Sequence, residues 1–167
     1  MKPSPSDHEA WNAYLAEGNA KQARKRVGAD VLLRNAAGEF LLVEPTYKPG
    51  WDLPGGMVEA NEAPDLAAAR ELREELNLTV EVQGLLVVDW VAPHGPWDDQ
   101  LAFIFDGGVL DEETAGSLRP SDEELSQLAF FPADPAQRLL NPRLSRRFVA
   151  ALAALEDGVP RYLRRAS

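Results

Sequence analysis

Residues 55–78 read GGMVEANEAPDLAAARELREELNL, a glycine pair followed by a short polar link and an acidic segment of helical character. At roughly 100° per residue, a helix from Ala63 to Leu76 places Leu66, Ala69, Leu72 and Leu76 on one side, toward a core, and Glu71, Glu74 and Glu75 on the other. Pro64 suits the first turn, where the N–H it lacks would have no intrahelical partner. Asn77 suits the left-handed turn that ends a helix.

Glu71 lies three and four residues before Glu74 and Glu75, so the three carboxylates crowd within one turn and repel unless a cation sits among them. Arg70 and Arg73 offset only part of that charge. Such carboxylates make a hard-oxygen site for Mg²⁺ or Mn²⁺, and Gly55 and Gly56 let backbone groups approach an ion or a phosphate closely. The competing reading is a solvated acidic face with partial i,i+4 pairing, the usual role of such a pattern.

The stretch resembles the signature of the Nudix hydrolases, G-x5-E-x7-R-E-U-x-E-E-x-G-U, with U a bulky aliphatic residue. Gly56, Glu62, Arg70, Glu71, Leu72, Glu74, Glu75 and Leu78 fall on its positions, and Asn77 stands where the family has glycine. Asparagine tolerates positive φ better than other side chains, so the turn is expected to survive. The resemblance implies an α/β/α sandwich with a mixed β-sheet between helices. It implies Glu71, Glu74 and Glu75 as metal-binding carboxylates, the Gly55 carbonyl as a further ligand, and Arg70 as the cation orienting one of them. Glu62, with Gly56, is expected to brace the loop.

The chain has 167 residues, no cysteine and a formal net charge of −10. That length fits one domain. The domain is expected over 27–157, C-terminal helices included, after a helical extension over 1–26 and before a tail over 158–167. Without cysteine there are no disulfides, thiolate nucleophiles or thiolate metal sites. The acidic balance argues against broad nucleic-acid binding, which draws on Lys and Arg, but is compatible with a small-molecule diphosphate substrate bridged by cations. The start, MKPSPSDHEAW, lacks the apolar core of a signal peptide, and no apolar run reaches membrane-spanning length. A cytoplasmic location is the expectation.

Ser6 and Glu9 have capping-box spacing ahead of a helix over 7–17 ended by Gly18-Asn19. The basic run Lys21–Arg26 reads as phosphate steering, a second solvated helix or a dimer contact; a homodimer is common among proteins with this signature. Strands are expected over 27–34 and 39–44, 79–91 with a break near Gly84, 101–110 and 128–131. Asp134-Pro135 and Asn141-Pro142 each read as a cap and first-turn proline, and Leu144, Phe148, Ala151, Leu152 and Leu155 form an apolar stripe that packs on the sheet. Gly158 stops that helix.

Substrate contacts are sought at Lys48, Trp51, His94 and Trp97. Trp51 reads as loop packing ahead of stacking, and His94 sits on a Pro/Gly turn where exposure alone is the commoner fate. Glu112, Glu113, Glu123 and Glu124 are candidates for an additional base or ligand, with Glu123 and Glu124 foremost. For Glu124 a capping-box role with Ser121 competes.

The expected activity is metal-dependent attack of water on a diphosphate in a nucleoside diphosphate linked to another moiety. The first alternative is a non-catalytic Nudix-like nucleotide-binding or regulatory domain, in which the acidic signature should decay. A prenyl-diphosphate isomerase needs a cysteine that is absent here, and an RNA 5′-end pyrophosphohydrolase is disfavoured by the charge.

Overall fold

The computed structural model describes residues 2–164. Among the described residues, seven strands form one mixed sheet: β1 (Arg26–Arg34), β2 (Phe40–Pro45), β3 (Gly55–Met57), β4 (Gly84–Val91), β5 (Gln100–Val109), β6 (Leu125–Phe131) and β7 (Arg161–Arg164). The order is β6-β2-β1-β5-β4-β7, with β3 pairing beside β1. β1–β5 and β4–β7 are parallel and the remaining pairs antiparallel.

Alternation along β1 sorts the core into two layers. Ala29, Val31 and Leu33 face α2 (Pro64–Leu76), packing with Ala68, Leu72 and Leu76. Leu32 faces the opposite side, where α4 (Ala133–Leu139) and α5 (Pro142–Asp157) contribute Ala136, Leu144, Phe148, Ala151 and Ala154. Phe148 meets Phe40 edge to face at 5.1 Å. The result is the expected α/β/α sandwich.

The helix expected at 63–76 forms over Pro64–Leu76, and Asn77 ends it at φ 51°, ψ 34°. The Leu78 N–H then reaches the Leu72 carbonyl at 3.2 Å, closing a Schellman-type turn without glycine. The buried face, however, is Ala67, Ala68, Leu72, Glu75 and Leu76, while Leu66 is 62 % exposed. Two small alanines let α2 approach the sheet closely, and that rotation carries Glu75 inward with them.

Other expectations are corrected. α1 (His8–Ala20) is capped by Asp7, whose carboxylate accepts from Ala10 N–H, and it runs through Gly18-Asn19; no second helix follows within 22–26. Residues 79–83 form no strand: Val80 and Val82 pack over the core beside α2. α3 (Glu112–Ser117) is capped by Asp111, and no helix begins at Ser121. Asp134 lies inside α4 because that helix starts at Ala133, two residues before the expected Pro135, whereas Asn141 caps α5 as expected. Gly158 ends α5 in a left-handed turn, but the segment expected to be a tail then adds β7 to the sheet beside β4; residues 165–167 lie outside the described residues.

Candidate active site

β3 pairs antiparallel with β1 through Gly28–Met57, Ala29–Gly56 and Asp30–Gly55. Gly55 adopts φ +148°, and a Cβ there would lie 2.3 Å from the Ala29 carbonyl oxygen and 2.6 Å from the Asp30 Cα. At Gly56 a Cβ would instead meet the Glu71 carboxylate at 2.4 Å. The missing side chains thus serve different ends, a backbone crossing at Gly55 and a seat for a carboxylate at Gly56.

Glu75, 6 % exposed, accepts the Gly55 N–H at 3.2 Å. Burial, reinforced by the charges of Glu71, Asp30 and Asp122, raises its pKa from 4.5 to about 8, against the pull of that hydrogen bond. Glu71 is raised as well, chiefly by burial. Arg70 organises the outer side of the helix. Its Nε and Nη2 grip Glu62 at 2.8 and 3.0 Å, and Nη1 reaches Glu71 and Glu74, each at 3.0 Å. Its remaining contact is the Met57 carbonyl at 3.1 Å. The guanidinium holds Glu62 down to about 2, helped by the Glu59 N–H, and Glu62 in turn is the brace that ties the polar link to α2.

Opposite these carboxylates stand Glu123 and Glu124. Ser121 donates from its N–H to the Glu75 carbonyl at 2.8 Å and from its hydroxyl to the Glu74 carbonyl, capping the end of α2. Thr46 N–H bonds the Glu124 carbonyl at 2.8 Å and its hydroxyl bonds that of Glu123 at 2.9 Å. Ser121 therefore caps α2 rather than beginning a helix of its own. Glu71, Glu75, Gly55, Gly56, Glu123 and Glu124 all line one cavity of about 470 Å³.

Glu74 does not line it; half-exposed, it stays with Arg70. No three acidic or histidine side chains among the described residues converge closely enough to hold an ion. The donor set nevertheless suits a hard divalent cation: carboxylates and a backbone carbonyl around a seat that glycine leaves open.

A second cavity, about 610 Å³, adjoins the first and is lined by Lys48 among others. Lys48 pairs with Asp52 there. Trp51 is outside both cavities, packed edge to face on Phe131 at 5.0 Å, which is the packing role. His94 and Trp97 line neither cavity. The His94 ring meets the Ala92 carbonyl at 3.0 Å, and Trp97 is covered by the Arg26 guanidinium at 4.7 Å. Lys25 pairs with Asp99, so two members of the basic run are spent on this loop instead of the site.

Sequence reasoning missed Asp30, Gln100 and Arg147, all of which line the larger cavity. A signal existed for two of them: Asp30 interrupts the apolar run of β1, and Arg147 falls on the apolar stripe of α5 between Leu144 and Ala151.

The sequence profile of the NUDIX domain matches residues 24–152. The chain belongs to the Nudix hydrolase family. Phosphatase NudJ of Shigella boydii is 30 % identical over 112 residues, covering 65 % of this chain and 70 % of that protein. Among Nudix folds, a MutT protein of Methanosarcina mazei superposes with TM-score 0.68 at 21 % identity, covering 81 % of this chain and 100 % of its own. A UDP-X diphosphatase superposes with TM-score 0.70 at 20 % identity, covering 94 % and 75 %. Among the described residues of this Nudix chain, no helix is long and apolar enough to cross a membrane.

Proposed function

We propose that this Nudix protein hydrolyses a diphosphate linkage in a nucleoside diphosphate joined to another moiety, with Mg²⁺ or Mn²⁺ as cofactor. The observation that carries the reading is the meeting of Glu71 and Glu75 with the Gly55–Gly56 pair at one cavity wall, faced by Glu123 and Glu124 across it. Family membership and the NudJ similarity support the hydrolase class.

Glu71, Glu75 and the Gly55 carbonyl would hold the ion, with Glu74 joining them on leaving Arg70. When bound, the ion supplies positive charge against phosphate oxygens and makes a nearby water more acidic. Arg70, anchored on Glu62, keeps Glu71 beside Gly56 and limits the repulsion among the carboxylates. Glu123 and Glu124 are the candidates to take the proton of the attacking water, since they face the same space and carry no ion pair among the described residues. Hydrolysis leaves two phosphorylated products, the oxygen of water ending on the phosphorus attacked.

Glu75→Gln keeps the shape and the acceptor for the Gly55 N–H but removes the charge. Its turnover on a panel of diphosphates with Mg²⁺, and that of Glu74→Gln, should fall at least about a hundredfold with cooperative unfolding retained. A variant with wild-type turnover removes that residue from the scheme. Ligand binding without phosphate release by the wild type across the panel would return the protein to the non-catalytic alternative.

A further inference from the structure

On its own side of the sheet α2 lies over β1 and β3, and no described helix packs across β4 and β7 there. Alternation along β4 sends Val87 and Asp89 toward α5, where they meet its core layer and Arg147, and so turns Val88 and Trp90 to the uncovered side. Register puts Leu101 of β5 opposite Trp90, and Tyr162 of β7 opposite Val88. Val88, Trp90 and Leu101 are half-buried yet belong to neither core layer among the described residues, and Tyr162 is 67 % exposed.

α1 presents a surface of the matching kind. Ala10, Trp11, Tyr14 and Leu15 fall along one apolar stripe, with the Trp11 and Tyr14 ring centroids 5.6 Å apart. No residue of the helix is buried, and Tyr14 and Leu15 are 42 % and 48 % exposed. Short helices draw most of their stability from packing such a stripe, and within its own chain α1 leaves it open. The helix carries Glu9 and Glu17 but no Lys or Arg, while Arg164 stands exposed on the uncovered face in register with Trp90. Charge and apolar surface therefore both match.

The link from α1 to β1 departs at the corner of that face. Lys25 pairs with Asp99, and Asp99 accepts the Trp90 indole N–H at 2.8 Å. A two-fold axis beside Asp99 brings each helix to the other copy's face, so the same surfaces serve both copies. The 13-residue helix is about 20 Å long. Laid on the sheet it buries on the order of 800 Å² counting both sides, and two such docks reach about 1,600 Å², the size of a stable interface. We propose that α1 of one copy docks across β5, β4 and β7 of a second copy, in reciprocal exchange, and that this makes the protein a homodimer. The inference is independent of the diphosphate-hydrolase reading.

Sedimentation equilibrium of the full chain tests it, with the wild type expected to be dimeric at about 10 µM. Leu15→Glu and Tyr162→Glu change exposed side chains and leave both core layers intact. Each should raise the dissociation constant at least about thirtyfold. An equimolar mixture of the two variants keeps one dock in which an unaltered α1 meets an unaltered face. It should therefore associate at least about fivefold more tightly than either variant alone. A wild type still monomeric at about 100 µM overturns the exchange, as does a dimer that either variant leaves intact. A mixture no tighter than its components overturns the pairing of helix with face even where both variants dissociate.

Discussion

Gly55 and Gly56 are neighbours in the chain with unlike reasons for being glycine, and substitution separates them. At Gly55 an added Cβ meets backbone on β1 at a φ that side chains rarely adopt, so neither obstacle yields without moving a strand. Gly55→Ala should destabilise by about 2 kcal/mol or more, measurable in urea. At Gly56 the obstacle is the end of the Glu71 side chain. Gly56→Ala should keep most of the stability and lose activity, because the displaced carboxylate leaves its seat beside Arg70. Equal stability losses for the two would show that Gly56 also serves the backbone.

At the scale of elements, α2 and α5 clamp the sheet from opposite sides and each brings a charged residue into the interior. On α5, Arg147 and Arg146 meet Asp89 of β4 at 2.7 and 2.9 Å, with Asp89 1 % exposed. The pair fixes the register of α5 against β4 and holds the Arg147 guanidinium at the cavity wall. Removing one member of a buried ion pair leaves the other uncompensated and costs about 3–5 kcal/mol. Asp89→Ala is therefore expected to lower the thermal midpoint by about 6–20 °C for a domain of this size. A calorimetric scan showing a loss under about 2 °C would mean that solvent reaches both arginines and the clamp carries no weight.

For the whole molecule, pH acts through carboxylates whose folded pKa values are raised. Glu75 and Asp30 both stand at about 8, from 4.5 and 3.8, each because burial disfavours its charge, with Glu71 shifted the same way. A raised carboxyl keeps its proton in the folded chain while the unfolded chain has released it, so stability is lost as pH climbs from about 4.5 through about 8. Glu62, held down at about 2, works in the opposite sense and only below about 4.5. With chelator present, the thermal midpoint should fall by several degrees between pH 5.5 and 8.5, and Mg²⁺ or Mn²⁺ should recover most of the loss at the upper end, since a cation favours the charged carboxylates. A chelated protein as stable at pH 8.5 as at pH 5.5 would contradict the buried placement of Glu75.

Spacing alone determined α2 and its left-handed end at Asn77, the α5 stripe and most of the strands, because each is a local pattern that a backbone of fixed period converts directly into a face or a turn, while the acidic signature was legible as a resemblance to the family. Tertiary packing decided the rest. It rotated α2 so that Glu75, legible as a surface acid, became a buried one, and it parted Glu74 from the cavity that Glu71 and Glu75 share. It drew His94 and Trp97 away into a loop closed by Lys25 and Arg26, and it set Asp30, Gln100 and Arg147 around one space. These outcomes depend on which strand lies beside which and on how closely two alanines let a helix approach. Such long-range distances are not encoded in the order of neighbouring residues.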